Sequence, residues 1–329
     1  NMKKVAINGL GRIGRAAMKI IVDETELELV AVNDLVPADN LAYLLKHDTV
    51  YGNYQKDVTY GQGALIIDGA EYKLFNKKDP AQLPWSDLGV DIVFECTGIF
   101  TKGEQLRKHI EAGAKRVILS APAKDDETIN VVYGVNTPDE PPQIMSCASC
   151  TTNCITPVAE VIARRIGVKK AVMTTIHGYT STQGIVDGPN KKMRRGRAAA
   201  CNLVPTSTGA AKATAKALPE YKGRFDGVAV RCPVPCGSIA DIVFVAERET
   251  SVEEVNRILT EEANSERYEK ALGVTDEELV SSDILQDPRG SIVDLTMTQV
   301  IDGDLIKVMS WYDNEWGYAN QMIRAGLED

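Results

Sequence analysis

The chain has 329 residues, 44% hydrophobic and 25% charged, an ordinary globular composition with length enough for two domains. A net charge of −9 sets most of the surface against nucleic acid and anionic lipid, while leaving room for a local basic site that takes an anionic metabolite. No apolar run reaches the roughly 18 residues of a membrane span, and Lys3 to Asn8 leads straight into a strand pattern, so neither a membrane segment nor a signal peptide is expected; seven cysteines, an odd number, then predict reduced thiols in a cytoplasmic protein.

In chain order, Val5-Ala6-Ile7 reads as a buried strand. Apolar residues from Ile13 to Val22 fall at helical spacing, and Leu29 to Val32 reads as the next strand. Val90 to Phe94 and Val117 to Leu119 are strands on either side of a helix from Lys102 to Ala112. Alternating strand and helix predict a parallel, doubly wound α/β sheet. After residue 149 the style changes. Val168 to Ile176, Gly227 to Val230, Ile239 to Val245, Ile292 to Val300 and Leu305 to Trp311 are strand-like, and several alternate apolar and polar, as at Asp294-Leu295-Thr296-Met297-Thr298. That suits a mostly antiparallel sheet covered on one face, with helices at Ala210 to Leu218 and Val252 to Ala263. Asp187 to Arg197, polar, basic and glycine-containing, reads as a long ordered loop.

Gly9, Gly11 and Gly14 stand in the spacing GxGxxG, after a predicted strand and at the start of a predicted helix. Asp34 ends the next strand, about 20 residues on, which completes the context of a dinucleotide fingerprint. Gly9 serves the tight turn, Gly11 the close approach of backbone to a pyrophosphate, and Gly14 the packing of helix on strand. The N–H groups around Arg12 and Ile13 then point at phosphates from a helix N-terminus. Asp34 is expected to accept from the adenosine ribose and to oppose a 2′-phosphate, which favours NAD over NADP.

Ser146 to Cys154 precedes Ile155, Val158, Ile162 and Ile166, apolar positions of a helix that would begin at Cys150. Unpaired N–H groups and the dipole there are expected to lower the thiol pKa and to stabilise an oxyanion. Pro157 predicts a kink or a loosened first turn. Of three histidines, His47 and His109 sit in charged surroundings that predict exposure, while His177 ends a strand and is the candidate base for Cys150. Other readings of the cysteines stay open. Cys147 and Cys150 form a CxxC that fits a redox pair; Cys147, Cys150, Cys154, Cys232 and Cys236 are candidate metal ligands; and simple burial is expected for Cys96, Cys154, Cys201, Cys232 and Cys236. A structural zinc site normally shows paired knuckles in a small loop-rich module, so no metal is expected.

Almost end to end, the sequence resembles the phosphorylating glyceraldehyde-3-phosphate dehydrogenases. The resemblance is carried by Ile7 to Arg15, Ala148 to Cys154, His177-Gly178-Tyr179-Thr180, Pro205 to Lys212 and Trp311 to Tyr318. It implies Cys150 as nucleophile and His177 as base. Thr180, Thr182 and Arg231 would hold the substrate's C3 phosphate. Ser149, Thr151, Thr208 and Gly209 would hold attacking inorganic phosphate, with Arg197 nearby. Asn314 would hold the nicotinamide amide, and Thr97 and Ser120 would line the cofactor groove. Two positions depart from the common pattern: Leu10 where Phe often stands, and Cys147 where Asn is common. Gly188-Pro189 fits the NAD-using branch.

The resulting expectation is a Rossmann-type NAD domain over 1–149, a catalytic α+β domain over 150–314, and a last helix within 315–329 that returns to the NAD domain. The resemblance implies oxidation of glyceraldehyde 3-phosphate to 1,3-bisphosphoglycerate through a Cys150 thioester, with inorganic phosphate as co-substrate, in a homotetramer whose Asp187–Arg197 loop reaches a neighbouring subunit. An erythrose-4-phosphate dehydrogenase, which passes the acyl group to water, and a non-catalytic NAD-binding redox sensor are the alternatives.

Overall fold

The computed structural model describes residues 2–24 and 26–328; Asn1, Thr25 and Asp329, which fall in the expected NAD domain and its returning helix, lie outside them. The chain divides into two compact units, Asn1–Val131 with Thr137–Ala148 and Met322–Asp329, and Val132–Asn136 with Ser149–Gln321.

The first unit runs β1 (Lys3–Asn8), α1 (Arg12–Glu24), β2 (Leu27–Asn33), α2 (Ala38–Lys46), β3 (Val58–Gly61), β4 (Ala64–Ile67), β5 (Ala70–Phe75), α3 (Trp85–Leu88), β6 (Ile92–Glu95), α4 (Gly103–Glu111), β7 (Arg116–Leu119) and β8 (Ile144–Ser146). Its sheet has the order β3-β4-β5-β2-β1-β6-β7-β8. Neighbours from β5 to β8 are parallel. The strands buried in this part, such as Val5 to Asn8 and Ile92 to Glu95, show no exposed alternate residue, as a sheet covered on both faces requires. The antiparallel edge formed by β3, β4 and β5 was not among the expected elements. Its signal is the Asp68-Gly69 pair between β4 and β5, both residues at positive φ (48° and 81°), the geometry of a two-residue hairpin turn. A core of Ala6, Ala31, Trp85, Val93, Leu106, Val117 and Leu119 lies in this unit.

The second unit continues with α5 (Cys150–Arg165), β9 (Val168–Gly178), β10 (Val204–Ser207), α6 (Ala210–Ala217), β11 (Phe225–Cys232), β12 (Ser238–Ala246), α7 (Val252–Ala263), β13 (Leu272–Thr275), β14 (Ser291–Asp294), β15 (Gln299–Ile301), β16 (Leu305–Tyr312) and the start of α8 (Trp316–Leu327), whose end from Met322 belongs to the first unit. The sheet order is β10-β11-β9-β12-β16-β14-β13, with β15 beside β16. It is mostly antiparallel, but β11 pairs parallel with β9 and β13 with β14.

Several expectations change here. Ile292 to Val300 is not one strand: Leu295–Met297 is a 3₁₀ turn, because the Asp294 side chain accepts the Thr296 N–H and turns the backbone. The helix α5 is buried from Thr151 through Ile162 rather than on one stripe. It is continuous across Pro157, and its first turn is closed by the Asn153 N–H on the Ser149 carbonyl at 2.9 Å, so the loosened start does not occur. Burial on all sides holds a helix that one missing hydrogen bond would weaken in water. His47 is exposed, but His109 is fully buried, and Cys201 is exposed where burial was expected.

Candidate active site

In the first unit, a groove of about 470 Å³ is lined by Asn8, Gly9, Gly11, Asn33, Asp34, Lys77, Thr97 and their neighbours. It lies at the carboxyl ends of β1 and β2. The sheet order reverses between β1 and β6, so this is the crevice where open α/β sheets bind ligands. Gly9 has φ +93° and its absent Cβ would meet the Thr97 nitrogen at 2.8 Å; a Cβ on Gly14 would meet the Gly9 carbonyl oxygen at 1.9 Å. Gly11 faces open space, with no atom within 4 Å of a Cβ position, which leaves its backbone accessible to a pyrophosphate. Asp34 accepts the N–H groups of Leu10 (2.6 Å) and Val36 (2.9 Å), which fixes its carboxylate at the rim while each oxygen keeps a second lone pair for a ribose hydroxyl. The Arg12 guanidinium donates to Asp48 at 2.6 Å, and α1 begins at Arg12 and Ile13, whose backbone N–H groups open the helix. The Ser120 N–H donates to the Glu95 carbonyl and its hydroxyl engages Cys96.

In the second unit, Ser149 caps α5, its Oγ accepting the Thr152 N–H, and Cys150 is the first helical residue. Just before them Ala148 takes φ +54°, a left-handed conformation that costs a non-glycine residue about 1–3 kcal/mol and turns the chain into the helix. Cys150 Sγ lies 3.4 Å from His177 Nε2. The His177 Nδ1 is 2.7 Å from the Gly178 carbonyl, which can only accept; Nδ1 therefore carries the hydrogen and Nε2 presents its lone pair to the thiol. Tyr312 packs edge-on against the imidazole, and its hydroxyl reaches Thr151 (2.8 Å) and Thr175 (2.7 Å).

Sheet register sets the neighbours of this base. His177 on β9 pairs with Arg231 on β11 and with Ser238 on β12, and Ser238 pairs with Tyr312 on β16. Arg231 donates to the Gly178 carbonyl at 3.2 Å, while its buried Nε has no partner among the described residues. Ser238 Oγ and the Gly237 N–H both donate to Asn314 Oδ1 (2.9 and 3.0 Å), which fixes the carbonyl end of that amide as the acceptor and leaves the other end a donor.

Burial pushes the Cys150 thiol up rather than down, against Arg231, Thr151 and the N–H groups at the helix start, which favour the thiolate. Burial likewise lowers His177 to about 3, helped by the charges of Arg231 and Arg195. Both shifts run towards the neutral forms, a thiol beside an imidazole with its lone pair free, where the helix position alone favours the thiolate. Cys147 is fully buried and pushed up to about 12, which disfavours it as a redox thiolate. Among the described residues no three His, Cys, Asp or Glu side chains are grouped as metal ligands.

Residues 149–314 match the family described as glyceraldehyde 3-phosphate dehydrogenase, C-terminal domain, and residues 3–103 match its NAD binding domain. The chain is 46% identical over 330 residues to a glyceraldehyde-3-phosphate dehydrogenase of Clostridium pasteurianum, covering 98% of this chain and 97% of that one. It is 47% identical to that of Zymomonas mobilis (97% and 96% covered) and 48% identical to that of Thermotoga maritima (98% and 97%).

The chain belongs to the glyceraldehyde-3-phosphate dehydrogenase family.

It is an NAD-dependent oxidoreductase with an NAD-binding α/β domain and a C-terminal domain built on a mixed sheet. Two arginines of the 184–197 segment have different surroundings. Arg197 is 62% exposed and held by Asp187 at 2.8 Å. Arg195 is turned the other way: its Nε donates to Thr206 Oγ1 at 3.0 Å, its NH1 donates to Thr182 Oγ1 at 3.5 Å, and its charge reaches His177. Sequence offered Arg194, Arg195 and Arg197 in one loop, and the 3₁₀ turn Met193–Gly196 decides which faces inward. Lys192, which sequence reasoning also missed, donates to Ser207 Oγ at 2.9 Å. Thr180 and Thr182 pair through their hydroxyls at 2.8 Å. Thr208 Oγ1 accepts the Ala210 N–H, and Gly209 caps α6, whose Thr214 bonds Thr156 of α5 at 2.8 Å.

Proposed function

We propose that this enzyme oxidises glyceraldehyde 3-phosphate to 1,3-bisphosphoglycerate through a thioester on Cys150. One observation carries the reading: Cys150 Sγ stands 3.4 Å from an imidazole nitrogen whose lone pair faces it, beside an arginine with a buried, unspent N–H. His177 takes the thiol proton as sulfur attacks the aldehyde carbon. The hemithioacetal oxygen develops negative charge, and the N–H groups that open α5 receive it. NAD, when bound, supplies the hydride acceptor that turns this adduct into the thioester. His177 keeps the proton it took from the thiol and, as imidazolium, stands beside the hemithioacetal oxyanion while the hydride leaves.

Thr180, Thr182 and Arg231 take the C3 phosphate, because paired hydroxyls and a buried guanidinium are what such a group needs. Ser149, Thr151, Thr208, Gly209 and Arg195 take inorganic phosphate, which attacks the thioester. Asn314 donates its amino group to the nicotinamide amide. Gly9, Gly11, Arg12, Ile13, Gly14, Asp34 and Thr97 form the rest of the cofactor site, with Ser120 behind it.

Assembly into a homotetramer and a cytoplasmic location extend the same reading. Ile185, Val186 and Met193 on the 184–197 segment are strongly exposed, an apolar surface that another subunit would cover. No helix among the described residues is long and apolar enough to cross a membrane.

The test is NAD reduction with and without inorganic phosphate. Without it, the enzyme should give a burst of about one NADH per subunit and then nearly stall at the thioester. Phosphate should restore steady turnover. Equal turnover of erythrose 4-phosphate in phosphate-free buffer would overturn the reading in favour of a hydrolytic dehydrogenase.

A further inference from the structure

The first unit buries a carboxylate and an imidazole that the reaction does not use. Glu95 and His109 are both fully buried and 3.0 Å apart. An unpaired carboxylate in such a place is costly, so its partners reveal what holds it. Glu95 Oε2 accepts from Asn8 Nδ2 (2.6 Å) and faces His109 Nε2. Its Oε1 accepts both the N–H (2.8 Å) and the hydroxyl of Thr97. Behind it, the Trp85 indole donates to His109 Nδ1 at 3.0 Å. An indole N–H can only donate, so Nδ1 is the bare nitrogen and Nε2–H points at Glu95.

The chain of bonds continues towards solvent. Asn8 Oδ1 accepts from Asn33 Nδ2 (2.7 Å), and Asn33 in turn bonds both the carbonyl (2.9 Å) and the N–H (2.9 Å) of Lys77. Asn33, Asn8 and Glu95 are in register as the last residues of β2, β1 and β6. Asn8, Gly9, Asn33, Lys77 and Thr97 line the dinucleotide groove. Gly9 and Thr97 lie back to back, 2.8 Å from a notional Cβ to the Thr97 nitrogen, so neither can shift alone.

We propose that Glu95 and His109, clamped by Trp85, are positioning residues for the dinucleotide: they hold Thr97 and the β1 turn at the spacing that accepts NAD. This rests on the dinucleotide occupying the groove at the ends of β1 and β2. Glu95→Gln keeps the size of the side chain but turns one end into a donor facing donors. Calorimetric NAD binding to the full chain should weaken roughly tenfold, the worth of one hydrogen bond to a charged group. The KM for NAD should rise likewise, while the rate of iodoacetamide alkylation of Cys150 without cofactor stays at the wild-type value. Thr97→Val should weaken NAD binding in the wild type and add less in the Glu95→Gln background, since the amide cannot accept at both ends and so already disturbs the link from Asn8 and His109 to Thr97. Trp85→Phe, which keeps a six-membered aromatic ring but removes the indole N–H and the volume of the pyrrole ring, should lower thermal stability and also weaken NAD binding, to a smaller degree than Glu95→Gln; it decides the matter if Glu95→Gln does not fold. Folded variants that lose thermal stability but bind NAD as the wild type does, or losses at Glu95 and Thr97 that simply add, would overturn the proposal. Failure of the wild type itself to bind NAD would instead refute the groove assignment.

Discussion

Each sheet carries a row of polar residues in register on adjacent strands, and the two rows differ in what they leave unspent. In the first unit Asn33, Asn8 and Glu95 bond one another, and the row closes on His109 and Trp85. Its polar capacity goes into its own geometry. In the second unit Arg231, His177 and Ser238 stand side by side, yet His177 keeps a lone pair towards Cys150 and Arg231 keeps a buried N–H. A satisfied row rigidifies a scaffold; a row with a free acceptor and a free donor can exchange protons and take anions.

The largest expected effect tests the unspent row. Cys150→Ser should lower turnover by roughly 10⁴-fold or more, since a serine hydroxyl is a far poorer nucleophile beside the same base. NAD affinity should stay at its wild-type value by calorimetry. Loss of NAD binding in that variant would tie the two rows together in a way the contrast does not anticipate.

His177→Asn should slow hydride transfer by roughly 10²–10⁴-fold, read by single-turnover NADH formation. It should also change stability against acid. His177 is at about 3 in the folded chain against 6.5 for an ordinary histidine, so between those values the unfolded chain binds a proton that the folded chain does not. Stability therefore falls as pH drops from 6.5 towards 3, by on the order of a few kcal/mol at most from this group. Urea midpoints should show a shallower acid decline in His177→Asn; an identical slope would mean that the imidazole is not held neutral by burial.

Arginine substitutions sharpen the anion side. Arg195→Ala should raise the KM for phosphate by roughly tenfold, as loss of a charge-assisted contact predicts, and Arg197→Ala should leave it within about twofold. The reverse order, measured at fixed ionic strength, would restore the assignment drawn from sequence. The smallest effect concerns cofactor choice: Asp34→Gly should narrow the preference for NAD over NADP by roughly tenfold, through lost repulsion at the 2′ position. NADP binding the wild type as tightly as NAD would remove Asp34 from that role.

Local grammar accounts for much of what could be read without a structure. GxGxxG after a strand identifies a turn because only glycine tolerates a backbone atom at 1.9 Å from the Cβ position at Gly14. Cys150 at the start of a helix was legible because Ser149 is a capping residue before apolar residues at helical spacing. What that reading missed was also local in two places: Asp68-Gly69 and Asp302-Gly303 are hairpin signals, and both pairs adopt positive φ. The alternation at 294–298 misled because a capping aspartate outcompeted the two-residue period.

The sequence by itself determined most of the long elements, the dinucleotide fingerprint, and the few residue types able to act as nucleophile, base and anion holders. These depend on backbone sterics and on side-chain chemistry, which travel with the residue. Only the tertiary structure decided which groups face one another. It paired His177 with Cys150 and left His109 to Glu95, turned Arg195 to Thr206 and Arg197 to Asp187, and raised the Cys150 thiol where the helix position suggested the opposite. The reason is physical: register and burial are set by strands far apart in sequence, and desolvation depends on everything packed around a group rather than on its neighbours in the chain.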